Sequence, residues 1–195
     1  NIIHESFDAI PITKNYILQL HKILYSHMNN PIAGKTKTVQ NYISATYPDG
    51  HVETLFTPLS PTDTPIALEN ICIEYNRVIG NMEVEPLIAI TTFIHDFLCI
   101  HPFNDGNGRM SRLLTTLLLY RCGFYVGKYI SLEAKIAKNK DLYYTSLNDL
   151  NNTNMGYLFS DMSDNTYLDV IKKKTKVELV ELGVEKLYDE LLTGN

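Results

Sequence analysis

The sequence is poor in cysteine, and the cysteines it has are not spaced for pairing. Cys72, Cys99 and Cys122 are odd in number, far apart and set in apolar segments of helical character. This distribution favours reduced, buried thiols over a disulfide framework or a Cys-x-x-Cys metal site. We therefore expect a cytosolic protein, either of its own cell or delivered into the cytosol of a host.

Long apolar runs are missing as well. The longest candidate, residues 113–120, lies between Arg112 and Arg121 and is far shorter than the ~20 residues of a membrane span. The sequence has no visible signal peptide, internal repeat or low-complexity linker. We expect no membrane partner.

Positive charge is also scarce. The chain has 17 Lys and Arg against 22 Asp and Glu, which gives a net charge of −5. Proteins that bind nucleic acid depend on Lys and Arg to neutralise backbone phosphates, so the balance argues against a nucleic-acid partner. A length of 195 residues with 45% hydrophobic residues suits a single domain with an ample core.

The apolar periodicity predicts a mostly helical protein. A helix is expected over 12–28 with Thr13 as its N-cap, a second from Thr64-Pro65 to Gly80, and a third from Glu85-Pro86 to about residue 100. Further helices are expected near 131–138 and 141–150, and an amphipathic C-terminal helix within 165–193. The face of the first helix is predicted to carry Ile12, Tyr16, Leu20, Ile23 and His27.

One polar insert between the first two helices is prone to form strands. Residues 39–47 and 51–56 flank the turn sequence Pro48-Asp49-Gly50, and this pattern predicts a β-hairpin over about 38–57. His21 and His27 are expected to pack or face solvent rather than bind a ligand. His95-Asp96 is expected to be helix surface or satisfied interior rather than a metal site.

The most informative segment runs from His101 to Arg112 and reads His-Pro-Phe-Asn-Asp-Gly-Asn-Gly-Arg-Met-Ser-Arg. Gly106-Asn107-Gly108 precedes an apolar run at helical spacing, so we expect the glycines at a helix N-terminus, where free amides and the helix dipole favour an anion. Arg109 and Arg112, three residues apart, can grip successive phosphates on one face. Gly123 is expected to close this helix.

Two further residues of the segment suit the chemistry of a nucleotide polyphosphate. Asp105 is a hard oxygen ligand of the kind Mg²⁺ accepts when phosphate oxygens and waters complete its shell. His101 is the best candidate for a general base, since an unperturbed imidazole is largely neutral at cellular pH. An exposed loop aspartate is the alternative reading of Asp105.

At every fixed position these residues match the motif His-Pro-Phe-x-(Asp/Glu)-Gly-Asn-Gly-Arg-x-x-Arg, so the chain resembles the Fic family from about residue 12 to about residue 159. The resemblance implies an all-α domain spanning 1–195, with a core over about 12–160 and a flap hairpin. It also implies transfer of AMP from ATP to a Ser, Thr or Tyr hydroxyl of a target protein, with release of pyrophosphate.

The resemblance also assigns roles within the motif. His101 would deprotonate the target hydroxyl, and Asp105 would hold Mg²⁺ (or Mn²⁺) across the α- and β-phosphates. Phe103 would be a packing residue that anchors the loop in the core. Asn107 and the amides around Gly106 and Gly108 would hold the α- and β-phosphate oxygens. Arg109 would neutralise the leaving pyrophosphate, and Arg112 would reach the γ-phosphate.

Outside the motif, the resemblance implies an adenosine side and a docking strand. Tyr143, Tyr144 and Asn151 would lie beside the nucleotide, with Tyr144 our choice for the pocket. The flap would bind the target by strand addition, through Val39, Gln40, Asn41, Tyr42 and Ile43. Just before the flap, Gly34-Lys35-Thr36-Lys37 replaces the family's Gly-x-(Tyr/Phe)-Arg, so Thr36 cannot supply the aromatic packing there and Lys37 cannot supply the planar fork of the arginine.

Many Fic enzymes are restrained by a helix bearing (Ser/Thr)-x-x-x-Glu-(Gly/Asn), and this sequence lacks that pattern. The chain does not begin with Met and opens in a helix-like segment, so we expect a fragment from which an upstream inhibitory helix is missing, or a separate inhibitor protein. Arg112 should then have no carboxylate partner in the chain. A homodimer is plausible by resemblance. The alternatives are another nucleotide or a phosphocholine donor, removal of AMP, or a non-catalytic nucleotide sensor.

Overall fold

Helices dominate the computed structural model, which describes residues 2–28 and 30–125. These residues form an all-α fold with one small two-stranded antiparallel sheet, as predicted. In chain order the elements are α1 (Ile2–Ser6), a 3-10 turn (Phe7–Ala9), α2 (Lys14–Leu24), β1 (Ile43–Thr46), β2 (Val52–Phe56), α3 (Thr64–Gly80), α4 (Pro86–Ile100) and α5 (Asn107–Arg121). The expected helices beyond residue 125, with Tyr143, Tyr144 and Asn151, lie outside the described residues.

The N-cap of α2 is the one the sequence predicted. Thr13 Oγ1 accepts a hydrogen bond from the Tyr16 amide at 3.3 Å, which satisfies one of the free N–H groups at the helix start. The predicted face is only partly right: Ile12 and Leu20 are buried, but Ile23 is 48% exposed and His27 is also exposed. Within α2 the buried residues are Ile17, Leu20 and His21.

Helices α3 and α4 pack against each other and supply much of the core. Both begin with proline in the first turn, where the missing N–H costs no helical hydrogen bond. Helix α4 is buried on several sides, and its interior residues Phe93, Phe97 and Ile100 have no exposed surface. This burial fixes the end of α4, from which the motif loop departs.

The predicted hairpin is present and lies on the surface. Strand β1 pairs with β2 in antiparallel register, with Ile43 opposite Phe56 and Thr46 opposite Val52. Gly50 supplies the positive φ of the turn, at +83°. The first strand is shorter than the sequence suggested, since residues 39–42 are not paired in the sheet.

Helix α5 ends as the sequence predicted. Gly123 adopts a φ of +86°, its N–H donates to Tyr120 O at 3.0 Å, and the Phe124 N–H donates to Leu119 O at 2.9 Å. These two bonds form a Schellman motif, for which glycine at C′ is favoured. Within the described part of the chain, no helix combines the length and apolarity that a membrane crossing requires.

Candidate active site

The loop between α4 and α5 is closed by a side chain of its own. The Phe103 N–H donates to Asn107 Oδ1 at 2.9 Å, and Asn107 Nδ2 donates back to Phe103 O at 2.7 Å. Phe103 has no exposed surface, so the expectation that it anchors the loop in the core is confirmed. The Asn107 side chain thus closes the loop with both its oxygen and its nitrogen.

Gly106 is the N-cap of α5 and adopts the left-handed conformation, with φ +88°. A Cβ at this position would lie 2.9 Å from Tyr25 Oη and 3.2 Å from Tyr25 Cε2, so any larger residue would have to displace the Tyr25 side chain. The first helical bond runs from the Met110 N–H to Gly106 O at 2.8 Å. The amides of residues 107–109 therefore have no helical acceptor four residues earlier, which is the arrangement that suits an anion at a helix start.

His101 directly follows α4 and is left-handed, with φ +50° and ψ +61°. Its N–H donates to Phe97 O at 3.0 Å, and its Nδ1 lies 3.3 Å from Leu98 O. Since a carbonyl oxygen can only accept, Nδ1 carries the proton and Nε2 keeps its lone pair. Burial lowers the pKa of His101, and the charge of Lys37 lowers it further against the raising effect of Leu98 O. The imidazole is thus a neutral acceptor at pH 7.

Asp105 is held as a carboxylate at the same helix start. Its Oδ1 accepts the Gly106 N–H at 2.7 Å, and its Oδ2 accepts from the Tyr25 hydroxyl and from Arg109 Nη2 at 3.0 Å. The bond from Tyr25 is the largest cause that lowers the pKa of Asp105. With its side chain 64% exposed, this carboxylate is open to a ligand from solvent.

Tyr25 is the residue that joins Asp105 to Arg109, and sequence reasoning gave it no part. The guanidinium carbon of Arg109 lies 4.8 Å from the Tyr25 ring centroid, and Arg109 Nη2 donates to the Tyr25 hydroxyl at 2.5 Å. Burial raises the pKa of Tyr25 to about 12. The hydroxyl therefore stays protonated and relays a hydrogen bond between the two charged side chains.

Arg112 lies over the first turn of α5. Its Nη1 is 3.5 Å from the place that a Cβ on Gly108 would take, so the guanidinium sits beside the amides of the helix start. None of the ion pairs within residues 2–28 and 30–125 includes Arg112. Arg109 and Arg112 thus add two positive charges to the same anion site.

His21 supports the motif loop from α2. It is fully buried, its Nδ1 accepts the Gly34 N–H at 2.9 Å, and its Nε2 donates to Asp105 O at 3.0 Å. This is the packing role that the sequence predicted in general terms, although the partners were not foreseen. The i, i+4 series of Ile17, His21 and Tyr25 was the signal that could have revealed the face.

The flap is anchored to the motif loop by Lys37, although this residue lacks the planar fork of the family's arginine. Lys37 is 2% exposed, and its Nζ donates to Ile100 O and to Asn41 Oδ1, each at 2.9 Å. The two acceptors are atoms of different residues, so two N–H donors of a lysine ammonium can reach them. The planar guanidinium of an arginine is not required. The pKa of Lys37 is lowered to about 8 by burial.

The residues predicted to bind the target divide into two groups. Val39 and Tyr42 are 69% and 60% exposed, and their side chains are available at the surface. Gln40 instead donates to Pro58 O at 2.9 Å, and Asn41 contacts the motif loop. Ile43 begins β1.

His95 and Asp96 are satisfied interior, as expected. They are 3% and 0% exposed, and His95 Nδ1 lies 3.2 Å from Asp96 Oδ1. Cys99 Sγ lies 3.5 Å from His95 Nε2. Among residues 2–28 and 30–125 there is no cluster of three or more His, Cys, Asp or Glu side chains arranged to hold a metal ion.

The segment from His101 to Arg112 carries a glycine-capped helix start, two arginines, a carboxylate and a neutral imidazole, which are the groups that a phosphate-binding site with a nearby base requires. The model of the Fic/DOC family matches residues 11–119, which is more than half of the chain. The chain therefore belongs to the Fic/DOC family.

Individual relatives agree with this assignment. Protein adenylyltransferase fic-1 of Caenorhabditis elegans is 26% identical over 150 residues, or 77% of this chain and 27% of that protein. Protein adenylyltransferase Fic of Drosophila grimshawi is 31% identical over 115 residues, or 59% and 22%. This chain spans about a quarter of the length of these curated relatives.

A solved structure is similar as well. A Fic domain containing signaling protein from Bacteroides thetaiotaomicron superposes with a TM-score of 0.51 at 28% identity, over 63% of this chain and 44% of that chain. The helical fold is thus that of a Fic domain.

Proposed function

We propose that this protein transfers AMP from ATP to a Ser, Thr or Tyr hydroxyl of a target protein and releases pyrophosphate. The observation that carries the proposal is the imidazole of His101. Its Nδ1 is engaged by Leu98 O, which leaves Nε2 as a proton acceptor in the loop that leads into a helix start suited to phosphates. The names of the relatives, protein adenylyltransferase, support the same activity.

In the proposed reaction, His101 Nε2 takes the proton of the target hydroxyl. The hydroxyl oxygen forms a bond to the α-phosphorus, and the bond from that phosphorus to the bridging oxygen of pyrophosphate breaks. The amides of residues 107–109 hold the α- and β-phosphate oxygens, Arg109 neutralises the leaving pyrophosphate, and Arg112 binds the γ-phosphate. Positioning and electrostatic stabilisation supply most of the rate gain, with the base adding about 10²–10⁴-fold.

The described residues fit a divalent cation of the kind that accompanies nucleotides. Asp105 is a partly exposed carboxylate whose pKa is lowered, and it lies at the helix start where the phosphates would be. Mg²⁺ is often bound through one or two carboxylates plus substrate phosphates and waters, so one such residue is sufficient. Mg²⁺ or Mn²⁺ held by Asp105 would neutralise charge on the α- and β-phosphates.

The target would dock along the flap. Val39 and Tyr42 are exposed and lie beside β1, an edge strand whose outer backbone groups can pair with an added strand. Main-chain pairing would set the target hydroxyl over the site while tolerating many target sequences. Control by an upstream inhibitory helix or a separate inhibitor protein, a homodimer, and a cytosolic location belong to the same proposal.

Label transfer tests the proposal directly. The chain is incubated in cell lysate with Mg²⁺ and ATP labelled at either the α- or the γ-phosphate, and labelled proteins are separated on a gel. Label from the α position alone supports transfer of AMP. Label from the γ position, or no label despite measured ATP binding, would overturn it in favour of phosphotransfer or of a nucleotide sensor.

His101→Ala is the matched control for this experiment. We expect it to bind ATP as the wild type does, because the phosphate contacts come from other residues, and to give no labelled protein. Undiminished labelling by His101→Ala would show that another group acts as the base.

A further inference from the structure

We propose that Lys37 and Asn41 act together as positioning residues that hold His101 in its working conformation and connect it to the flap. We call these two residues the Lys37–Asn41 clamp. The inference rests on the proposed function, because it assigns the clamp a part in the base step. It concerns residues that lie outside the motif in sequence and that do not contact the phosphate site.

The clamp donates to four consecutive carbonyl oxygens, those of residues 100–103. This is the backbone on both sides of the His101 imidazole. Lys37 Nζ donates to Ile100 O at 2.9 Å, and the Lys37 main-chain N–H donates to Pro102 O at 2.7 Å. Asn41 Nδ2 donates to His101 O at 3.3 Å and to Phe103 O at 3.1 Å. The bond from Lys37 Nζ to Asn41 Oδ1, at 2.9 Å, ties the two side chains to each other.

These bonds act where the backbone is under strain. His101 has φ +50°, a left-handed conformation that is unfavourable for a residue other than glycine. Such residues persist where the surrounding structure over-determines them. The clamp provides that restraint, because rotation of His101 out of this conformation would move carbonyls away from donors that are themselves fixed.

The charge of Lys37 has a second effect. Lys37 Nζ lies at the C-terminal end of α4, where free carbonyls and the helix dipole favour a cation. Within the described part of the chain, Lys37 is the charged group that acts on the His101 imidazole, and it lowers the pKa of that group. A positive charge at this place keeps the imidazole in the neutral form that can accept a proton.

The clamp also links the base to the flap. Asn41 lies two residues before β1, and its neighbour Gln40 donates to Pro58 O, just after β2. The segment that leads into the docking strand therefore shares its anchor with His101. A target bound on the flap and the base that would deprotonate it are positioned by the same pair of residues.

Three lysine variants test the clamp. Lys37→Met removes the charge and the Nζ donor, Lys37→Arg keeps both, and Lys35→Met removes an exposed lysine two residues away. Each is measured for kcat, for KM of ATP, and for the pKa of His101 by NMR titration of the imidazole. We expect Lys37→Met to lower kcat about 10- to 100-fold with KM for ATP changed less than about twofold, and to raise the pKa of His101.

Lys37→Arg should recover most of the kcat, and Lys35→Met should match the wild type. The proposal would be overturned if Lys37→Met changed neither the pKa of His101 nor kcat. It would also be overturned if Lys35→Met lowered kcat as much as Lys37→Met does. If Lys37→Met does not fold, Asn41→Ala decides, since Asn41 is only half-buried. It should lower kcat in a folded protein, and full activity would refute the clamp.

The imidazole titration separates this inference from the proposed function. A wild type that transfers no label would refute AMP transfer, and the clamp would still be tested by whether Lys37→Met shifts the pKa of His101. A wild type that transfers label, with no change in any Lys37 or Asn41 variant, would refute the clamp alone.

Discussion

The ring of His21 stacks on the ring of Phe103, with centroids 3.7 Å apart and planes 3° from parallel. This contact joins α2 to the motif loop across more than eighty residues of sequence. It also fixes the imidazole so that Nδ1 can accept from Gly34 and Nε2 can donate to Asp105 O. His21 thus contacts Asp105 in the motif loop, Gly34 before the flap and Phe103 in the core, and it holds these three segments together.

The first prediction concerns the pH dependence of stability. Burial lowers the pKa of His21 below its unfolded value of 6.5, so below pH 6.5 the unfolded chain takes up a proton that the folded protein does not. The contribution of neutral His21 to the free energy of unfolding is complete above pH 6.5. It is lost as the pH falls through the pKa that His21 has in the folded protein. The slope is at most about 1.4 kcal/mol per pH unit.

Urea unfolding between about pH 8 and pH 5 measures this slope. His21→Phe keeps the stack on Phe103 but cannot titrate, so its stability should be lower at neutral pH and should fall less steeply on acidification. Parallel curves for the wild type and His21→Phe would contradict the prediction.

The second prediction concerns Gly106. Gly106→Ala adds a Cβ only 2.9 Å from Tyr25 Oη at a φ of +88°, so it combines backbone strain with a steric clash. Gly50→Ala is the matched control, since its φ is +83° and nothing lies within 4 Å of the added Cβ. We expect Gly50→Ala to lose about 1 kcal/mol of unfolding free energy and Gly106→Ala to lose at least about 2 kcal/mol, as measured by chemical unfolding. Equal losses would show that Tyr25 yields without cost.

The third prediction concerns the Tyr25 hydroxyl. Tyr25→Phe removes its bonds to Asp105 and Arg109, so the pKa of Asp105 should rise toward the ordinary value of 3.8. We expect a loss of about 0.5–1.5 kcal/mol in unfolding free energy. Carboxyl NMR titration of Asp105 measures the first effect, and urea unfolding measures the second.

Tyr47→Phe is the control for this variant. Its hydroxyl donates to Glu53 at 2.7 Å on the exposed hairpin, where such a bond contributes little to stability. It should leave both the Asp105 pKa and the unfolding free energy unchanged. If Tyr25→Phe behaves in the same way, the hydroxyl does not determine the state of Asp105.

The fourth prediction concerns Arg112 and rests on the proposed function. Arg112→Ala removes the guanidinium assigned to the γ-phosphate, so affinity for ATP should fall about 10- to 100-fold, the value of a charge-assisted hydrogen bond. Affinity for ADP should be nearly unchanged, and ADP therefore serves as the internal control. Isothermal titration calorimetry with both nucleotides tests this. A lost γ-phosphate contact weakens binding of ATP alone, whereas a general loss of positive charge would weaken binding of ATP and ADP equally.

Much of the fold was predictable because local signals agreed with tertiary packing. Several of these signals act through backbone geometry within a few residues: Thr13 as an N-cap, Pro86 at the start of α4, and the two glycines that begin and end α5. The face of the first helix was predicted only in part. Polar His21 turns inward because Gly34 and Asp105 supply partners for both ring nitrogens, and periodicity of apolar residues cannot reveal such partners.

The order of residues in the motif was by itself sufficient to specify the family and the helix start, because glycine conformation, loop closure and charge spacing are all local properties of residues 101–112. Only the tertiary structure decided which distant groups set the state of that segment. Tyr25, His21 and Lys37 reach it from outside, and the burial that moves their own pKa values exists only once the chain has folded.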